Sequence, residues 1–393
     1  MKLKYRKLGE FIRLRDQRNT NLITEELLGI NIDKEYMPSV ANVIGTDLTK
    51  YKIIEKNVFA CNPMHVGRDE KLPVALYKED KLAIVSPAYF VFEIIDRSIL
   101  NEEYLMMWFR RSEFDRNCWF KTDGSVRGGI SWNEICELEL PVPEINKQKS
   151  IVKAYKSISN RINLKQQIND NLVKQALTKI QLFNEEDIRK GNNWESKTVQ
   201  ELVDNKILEY PVDGNHGEIH PKTSDYVASG IPFIMANDIS DGYINYNQCS
   251  FISKQQAKKL RKGFARPGDI LLTHKATIGR VAAVSYEYDT IILTPQVTYY
   301  RSSDSIFSCY LKYYFMSSYF QSILDSWSGA GSTRAYIGIT KQCELPILIP
   351  PDETIKCIAK LVTVTEKVRY QNYCEERKLK QIQTLLIEKI SSY

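Results

Sequence analysis

The sequence predicts an α+β chain built as two homologous α/β domains, each followed by a long helix. Three features carry this expectation. The chain repeats itself at about half its length, two long stretches have a helical apolar spacing free of Pro and Gly, and short alternating apolar runs punctuate the rest.

The repeat is clearest where GSVRGGISWNEICELELPVPE (124–144) parallels GSTRAYIGITKQCELPILIPP (331–351) at a constant offset of 207. Just upstream, YLMMWFRRSEF (104–114) parallels YLKYYFMSSYF (310–320) at an offset of 206, and each reads as an amphipathic helix. VFACNPMHVGRDE (58–70) stands where ILLTHKATIGRVA (270–282) stands, and VSPAY (85–89) matches LTPQV (293–297). In the first copy, Asn57-Val58 takes the place of the Gly-Asp turn. A period near 200 residues is a domain duplication, not a solenoid of short repeats.

Domain 1 is expected over 1–145, a central helix over 146–186, domain 2 over 187–350 and a second helix over 351–393. Ile151, Tyr155, Ile158, Ile162, Leu172, Ala176 and Ile180 keep a three-four spacing within 146–181, with polar Lys165 and Asn169 interrupting the stripe. The second helix has Ile355, Ile358 and Val362, a polar middle, then Leu379, Ile382, Leu386 and Ile390. Such narrow stripes pair helices, and neither helix, about 54 Å long at 1.5 Å per residue, buries its stripe alone. The two are therefore expected to pack on each other. GNNW (191–194) stops the first helix, and Trp194 opens the second domain as Tyr5 opens the first. IPFIMAND, DILLTH, RVAAVSY and TIILT read as strands.

At 393 residues, 43% hydrophobic and 26% charged, the chain has the composition of a soluble globular protein with more than one core. Its charged opening, MKLKYRKLGEFIRLRDQRN, is not a secretory signal, and no apolar run approaches about 18 residues. Eight cysteines without a CxxC pair suggest reduced thiols in a cytoplasm. Net charge is +6, but residues 254–280 hold eight Lys/Arg against the single acid Asp269, and residues 1–20 hold seven against two. Such tracts attract polyanions or are plain solvated faces.

Catalytic constellations fail. Asn62-Pro63-Met64 lacks the second Pro, the aromatic and the Gly-rich cofactor loop of an amino-methyltransferase. Pro351-Asp352 and Glu376-Arg377-Lys378 fit a nuclease spacing, yet their carboxylates fall about six turns apart on one helix and cannot share a metal. His216 and His220 sit in a Gly/Pro loop without further ligands, and no GxxxxGK[ST] loop is present. No cofactor or metal is expected, and the chain reads as a binder.

GDILLTHKATIGRVAAV, its counterpart FACNPMHVGR with IVSPAYFVFE, and the pair LPVPEINKQKSIV and LPILIPPDETIKCIA give the chain a specific resemblance. Over about residues 1–390 it resembles the specificity subunits of type I restriction-modification systems. That resemblance implies two target-recognition domains held apart by two antiparallel coiled-coil helices, related by a pseudo-two-fold axis. Each domain would read one half of a split site in double-stranded DNA. The helices would set the spacing and dock two methyltransferase subunits, which restriction/translocase subunits join. It also implies a cytoplasmic subunit without catalytic residues. One departure stands out: Gln148 of the first copy is matched by Ile355 in the second. A self-sufficient restriction enzyme and a free DNA-binding regulator are the alternatives.

By this resemblance 273–280 is a strand-loop-strand whose tip faces DNA, making Thr273, His274, Lys275 and Arg280 candidate contacts. The alternative is that Ile278-Gly279 shapes a turn and Arg280 pairs with an acid such as Glu287. Lys258, Lys259, Arg261 and Lys262 are candidate phosphate ligands, and His216 and Lys222 belong to the loop 213–225. That loop and 240–262 are the expected base readers. Arg68, Lys121 and Arg127 in the first copy and Arg334 in the second complete the candidates.

Overall fold

The computed structural model describes residues 5–39, 45–64, 66–122, 128–328 and 336–392. Arg127 and Arg334 lie outside the described residues. The chain divides into two compact units, Met1–Lys165 with Cys374–Tyr393, and Gln166–Tyr373.

Unit 1 opens with Tyr5–Lys7 paired antiparallel to Glu139–Pro141. Its main sheet is antiparallel, in the order Ile12–Leu14, Phe90–Ile94, Phe59–Cys61, Val74–Leu76. Helices Glu102–Phe109 and Ser112–Phe120 cover one face of it, and Phe59, Phe92, Phe109 and Phe114 fill the space between. Buried Lys34 reaches Asp115 at 2.6 Å and the Leu72 carbonyl at 3.1 Å, so its charge is fully partnered.

Unit 2 repeats the plan. Glu195–Thr198 pairs antiparallel with Pro346–Ile349, and the main sheet runs Val212–Asp213, Val297–Tyr300, Ile270–Lys275, Thr277–Ala283. Tyr300, Phe315 and Phe320 take the places of Phe92, Phe109 and Phe114, down to the edge-on contact of the first two rings, at 6.2 Å in unit 1 and 4.9 Å in unit 2. Unit 2 adds a five-stranded sheet with one parallel pair, Ile231–Ile234 beside Ile291–Leu293.

The turn before the central strand explains the divergent copy. Gly268 takes φ +91° there, and Asn57, the residue type that best tolerates the left-handed region after Gly, takes φ +68°. After Gly268, buried Asp269 receives Arg301 through two hydrogen bonds of 2.8 and 2.7 Å. Unit 1 places Val58 after Asn57, and its corner ion pairs have the opposite sense, with Glu93 accepting from Arg13 and Arg15.

The amphipathic helix expected over 104–114 is two helices, broken at Arg111 (ψ 140°), and its counterpart breaks at Ser317 (ψ 146°). Tyr104 to Phe109 are all buried, so the first of these helices is a core element and not a half-solvated one.

The first long helix spans Ile145–Arg189, three residues past the expected 186, because no Gly or Pro occurs before Gly191. The second spans Asp352–Glu388. Within unit 1, Gln383 donates to Ser159 (2.7 Å), and Arg161 and Lys165 both reach Glu375. Within unit 2, Asn372 donates to Asn169 (2.9 Å) and Thr354 to Asp187 (2.7 Å). In both units the helical segments run antiparallel. Ile151, Ile162, Ala176, Ile358 and Val362 are buried as the stripe requires, whereas Ile382 is 50% exposed. The polar middle of the second helix holds buried Thr365, Arg369 and Asn372. No helix among the described residues is long and apolar enough to cross a membrane.

Candidate nucleic-acid interface

The central strand Ile270–Lys275 is flanked on both sides, and this decides its side chains. Thr273 and His274 are buried, at 0% and 1% exposure, so neither is a surface contact for DNA. Thr273 Oγ1 accepts from the Arg280 amide at 2.9 Å. His274 Nδ1 donates to the Ile337 carbonyl at 3.0 Å, and its main-chain oxygen accepts from the Ile337 amide at 3.0 Å. Burial lowers the imidazole pKa, so the ring is held neutral as a clamp on the segment leading to the helical turn Ile339–Gln342.

Past His274 the strand leaves the core. Lys275 is exposed, lies 5.8 Å from the centre of the Tyr336 ring, and turns through Ala276 at φ +65°. Arg280 does not pair with Glu287. Its Nη1 donates to the Ala236 and Ile239 carbonyls at 3.1 and 3.2 Å, tying the strand to the adjoining 236–241 segment.

That segment is held from its other side as well. Arg369 donates to the Asp241 carbonyl, Tyr373 to the Ile244 carbonyl (3.1 Å), and Tyr243 stacks on Tyr373 at 4.9 Å. Glu366 binds Lys312 at 2.7 Å, the Tyr313 hydroxyl at 2.6 Å and Arg369. Burial raises the Glu366 pKa, but the Lys312 and Arg369 charges outweigh it and bring it down to about 2. The 240–244 part of the expected reading loop 240–262 thus lies in a hairpin packed against the second long helix.

The basic tract divides in two. Lys258, Lys259 and Arg261 are exposed and have no ion pair among the described residues. Lys262 is different, because it pairs with Asp213, whose side chain is 3% exposed. Asp213 also accepts from His216 Nε2 at 2.9 Å. Burial raises the Asp213 carboxyl, and the Lys262 and His216 hydrogen bonds outweigh it, leaving its pKa below the usual value. Lys222 is exposed at the start of a short turn that Asp225 caps.

Asn215, which sequence reasoning missed, joins these pieces. It is 3% exposed, its Oδ1 accepts from the Arg261 and Lys262 amides (2.9 and 3.3 Å), and its Nδ2 donates to the Lys262 carbonyl (2.6 Å). The two strands of chain pass in contact: a Cβ on Gly214 would meet the Leu293 carbonyl at 1.9 Å, and one on Gly263 would meet the Gly214 Cα at 2.9 Å. The only sequence signal was the turn composition Asp-Gly-Asn opposite Lys-Gly. Asp213, Asn215 and His216 are thereby joined to the Arg261–Lys262 end of the basic tract.

In unit 1, Arg68 lies on a short helix, Val66–Asp69, not on a strand continuing from Phe59–Cys61, and it pairs with Asp69 at 2.7 Å. Lys121 is half-buried at the end of helix Ser112–Phe120. The other basic tract is largely neutralised, since Arg6, Lys7, Arg13, Arg15 and Arg18 all contact carboxylates.

No family model and no curated relative matches the chain. Solved structures do. The crystal structure of a type I restriction-modification system S subunit from M. genitalium aligns at 14% identity over 99% of this chain and 96% of that one, with a TM-score of 0.53. The chain has the fold of a type I restriction-modification S subunit. An HsdS subunit from Thermoanaerobacter tengcongensis aligns at 17% identity over 98% and 96% of the two chains, with a TM-score of 0.37. Within the S-subunit fold, the departure at Gln148 has a structural meaning. Fully buried, Gln148 accepts from the Asn101 amide (2.9 Å) and donates to the Ile99 and Pro143 carbonyls (2.8 and 2.7 Å), while Ile355 packs among apolar side chains in unit 2.

Among the described residues, no group of three His, Cys, Asp or Glu side chains could hold a metal ion. The interface as built offers exposed cations on a braced loop.

Proposed function

We propose that this chain is the DNA sequence-recognition subunit of a type I restriction-modification complex and is itself non-catalytic. The observation that carries the reading is the exposed set Lys258, Lys259 and Arg261, without an ion pair among the described residues, on a chain with the S-subunit fold. Cations without carboxylate partners are free to replace the counterions of a phosphate backbone, which supplies affinity without sequence choice. Sequence choice then falls to side chains of the adjoining loop 213–225. The duplication supports a bipartite site, each domain (1–145 and 187–350) reading one short word while the helices fix the unread gap and dock two methyltransferase subunits. Restriction/translocase subunits join that complex in the cytoplasm. Lys275, Arg280, Lys121, Arg127 and Arg334 are proposed as additional backbone contacts.

The test is methyl transfer from S-adenosylmethionine to DNA by the purified chain, alone and with its modification subunits. Transfer is expected only in the complex, at two words separated by unread base pairs. Methyl transfer by the chain alone would overturn the reading.

A further inference from the structure

We infer that Asn215 is a positioning residue for DNA binding, bracing the 258–262 segment so that its cations meet phosphates as a set. The inference rests on the DNA-recognition reading above and adds a residue that touches no DNA. No ladder covers this segment. It follows the short helix Lys254–Ala257 and precedes strand Phe264–Ala265, so its backbone depends on local anchors. Its first half continues the helical turn, with the Lys258, Lys259 and Leu260 amides donating to the Lys254, Gln256 and Ala257 carbonyls, and Leu260 is buried with Phe233, Ile252, Ala257 and Ile292. Its second half is held by the Asn215 side chain, whose three hydrogen bonds engage both main-chain groups of Lys262 and the amide of Arg261.

Between and beside these anchors Lys258, Lys259 and Arg261 point outward, while Lys262 turns back to Asp213. A carboxylate beside a phosphate-binding loop opposes binding, and the Lys262 pair cancels it. Asn215 holds the Lys262 backbone where that pair forms. The same residue fixes the neighbouring loop, since its carbonyl accepts from His220 Nδ1 at 3.1 Å. Asparagine suits the task because one amide both donates and accepts, satisfying the backbone groups of a passing segment as a strand would. Without it the Arg261–Lys262 end of the segment loses this brace and gains conformational freedom in the free protein, and ordering it then opposes binding.

The experiment uses the full-length chain and a random-sequence duplex, titrated across a salt series, with Asn215→Ala, Arg261→Ala and the double variant. Asn215→Ala is expected to weaken binding about tenfold at 0.1 M salt and to flatten the salt slope by about one to two. In the cycle, the double variant should lose less affinity than the product of the singles, because Asn215 acts through Arg261 and its neighbours. Amide hydrogen exchange without DNA should speed up over 258–262. A residue that only supports the fold would lower thermal stability and leave the slope unchanged. Unchanged slope, or independent effects in the cycle, overturns the inference, as does unchanged exchange over 258–262 whatever DNA does. If the parent itself shows no salt-dependent duplex binding, while exchange over 258–262 responds to the substitution, the DNA reading falls and the brace stands as structure only. Should Asn215→Ala give no soluble chain, Asn215→Ser, which loses the bond to the Lys262 carbonyl, is read by the same criteria.

Discussion

Replacing Lys258, Lys259 and Arg261 together by Ala removes three exposed cations that have no ion pair among the described residues. Each phosphate contact contributes about 0.9 to the slope of log K against log salt, so three lost contacts flatten it by about 2.7. Between 50 and 200 mM salt, the parent should therefore lose roughly 40-fold more affinity than the variant. At 0.1 M salt the same contacts are worth about 2.7 decades, or about 4 kcal/mol, if all three touch phosphates at once. Lys262→Ala should behave otherwise. Its ammonium already neutralises Asp213, so the slope should change little, while stability falls by about 1–3 kcal/mol as Asp213 keeps only His216. Fluorescence anisotropy with a labelled duplex of random sequence measures the slopes, and denaturant unfolding measures stability. The reasoning is refuted if the triple variant keeps the parental slope, or if Lys262→Ala alone flattens it by a full contact at undiminished stability.

Glu366→Gln leaves Lys312 and Arg369 without their shared carboxylate and should cost about 3 kcal/mol at pH 7. Because the folded Glu366 pKa is depressed to about 2, the stability it supplies is present above the ordinary carboxylate value and is lost as pH falls from about 5 toward 2. The gap between parent and variant in thermal unfolding should close over that window, and a gap independent of pH would sink the assignment. His274→Ala should lower stability by about 2–4 kcal/mol through lost packing and the lost Ile337 bond, leaving the salt slope for duplex DNA unaltered. A flattened slope in a variant with native stability would show that His274 reaches DNA after all.

The amino-acid pattern alone determined the duplication, the strands DILLTH and RVAAVSY, the two long helices and the basic tract at 254–266, because each is a local signal. Periodicity, turn residues and charge runs are legible wherever neighbours in sequence set the outcome. Tertiary structure decided which members of those patterns face water. Thr273 and His274 look like a polar loop tip in sequence, but a strand on either side buries them. The second helix reads in sequence only as having a polar middle, and Arg369 there is 1% exposed because Glu366, Tyr243 and the Asp241 carbonyl converge on it, the last two from more than 120 residues away. Of the four cations at 258–262, Lys262 alone pairs with a carboxylate among the described residues, because Asp213 arrives from 49 residues earlier in the chain. Asn215 has no sequence signature as a brace, since a single amide becomes one only when a backbone that lacks a ladder passes within hydrogen-bond reach. Burial and pairing depend on contacts between residues distant in the chain, and no local pattern encodes which partner the fold will deliver.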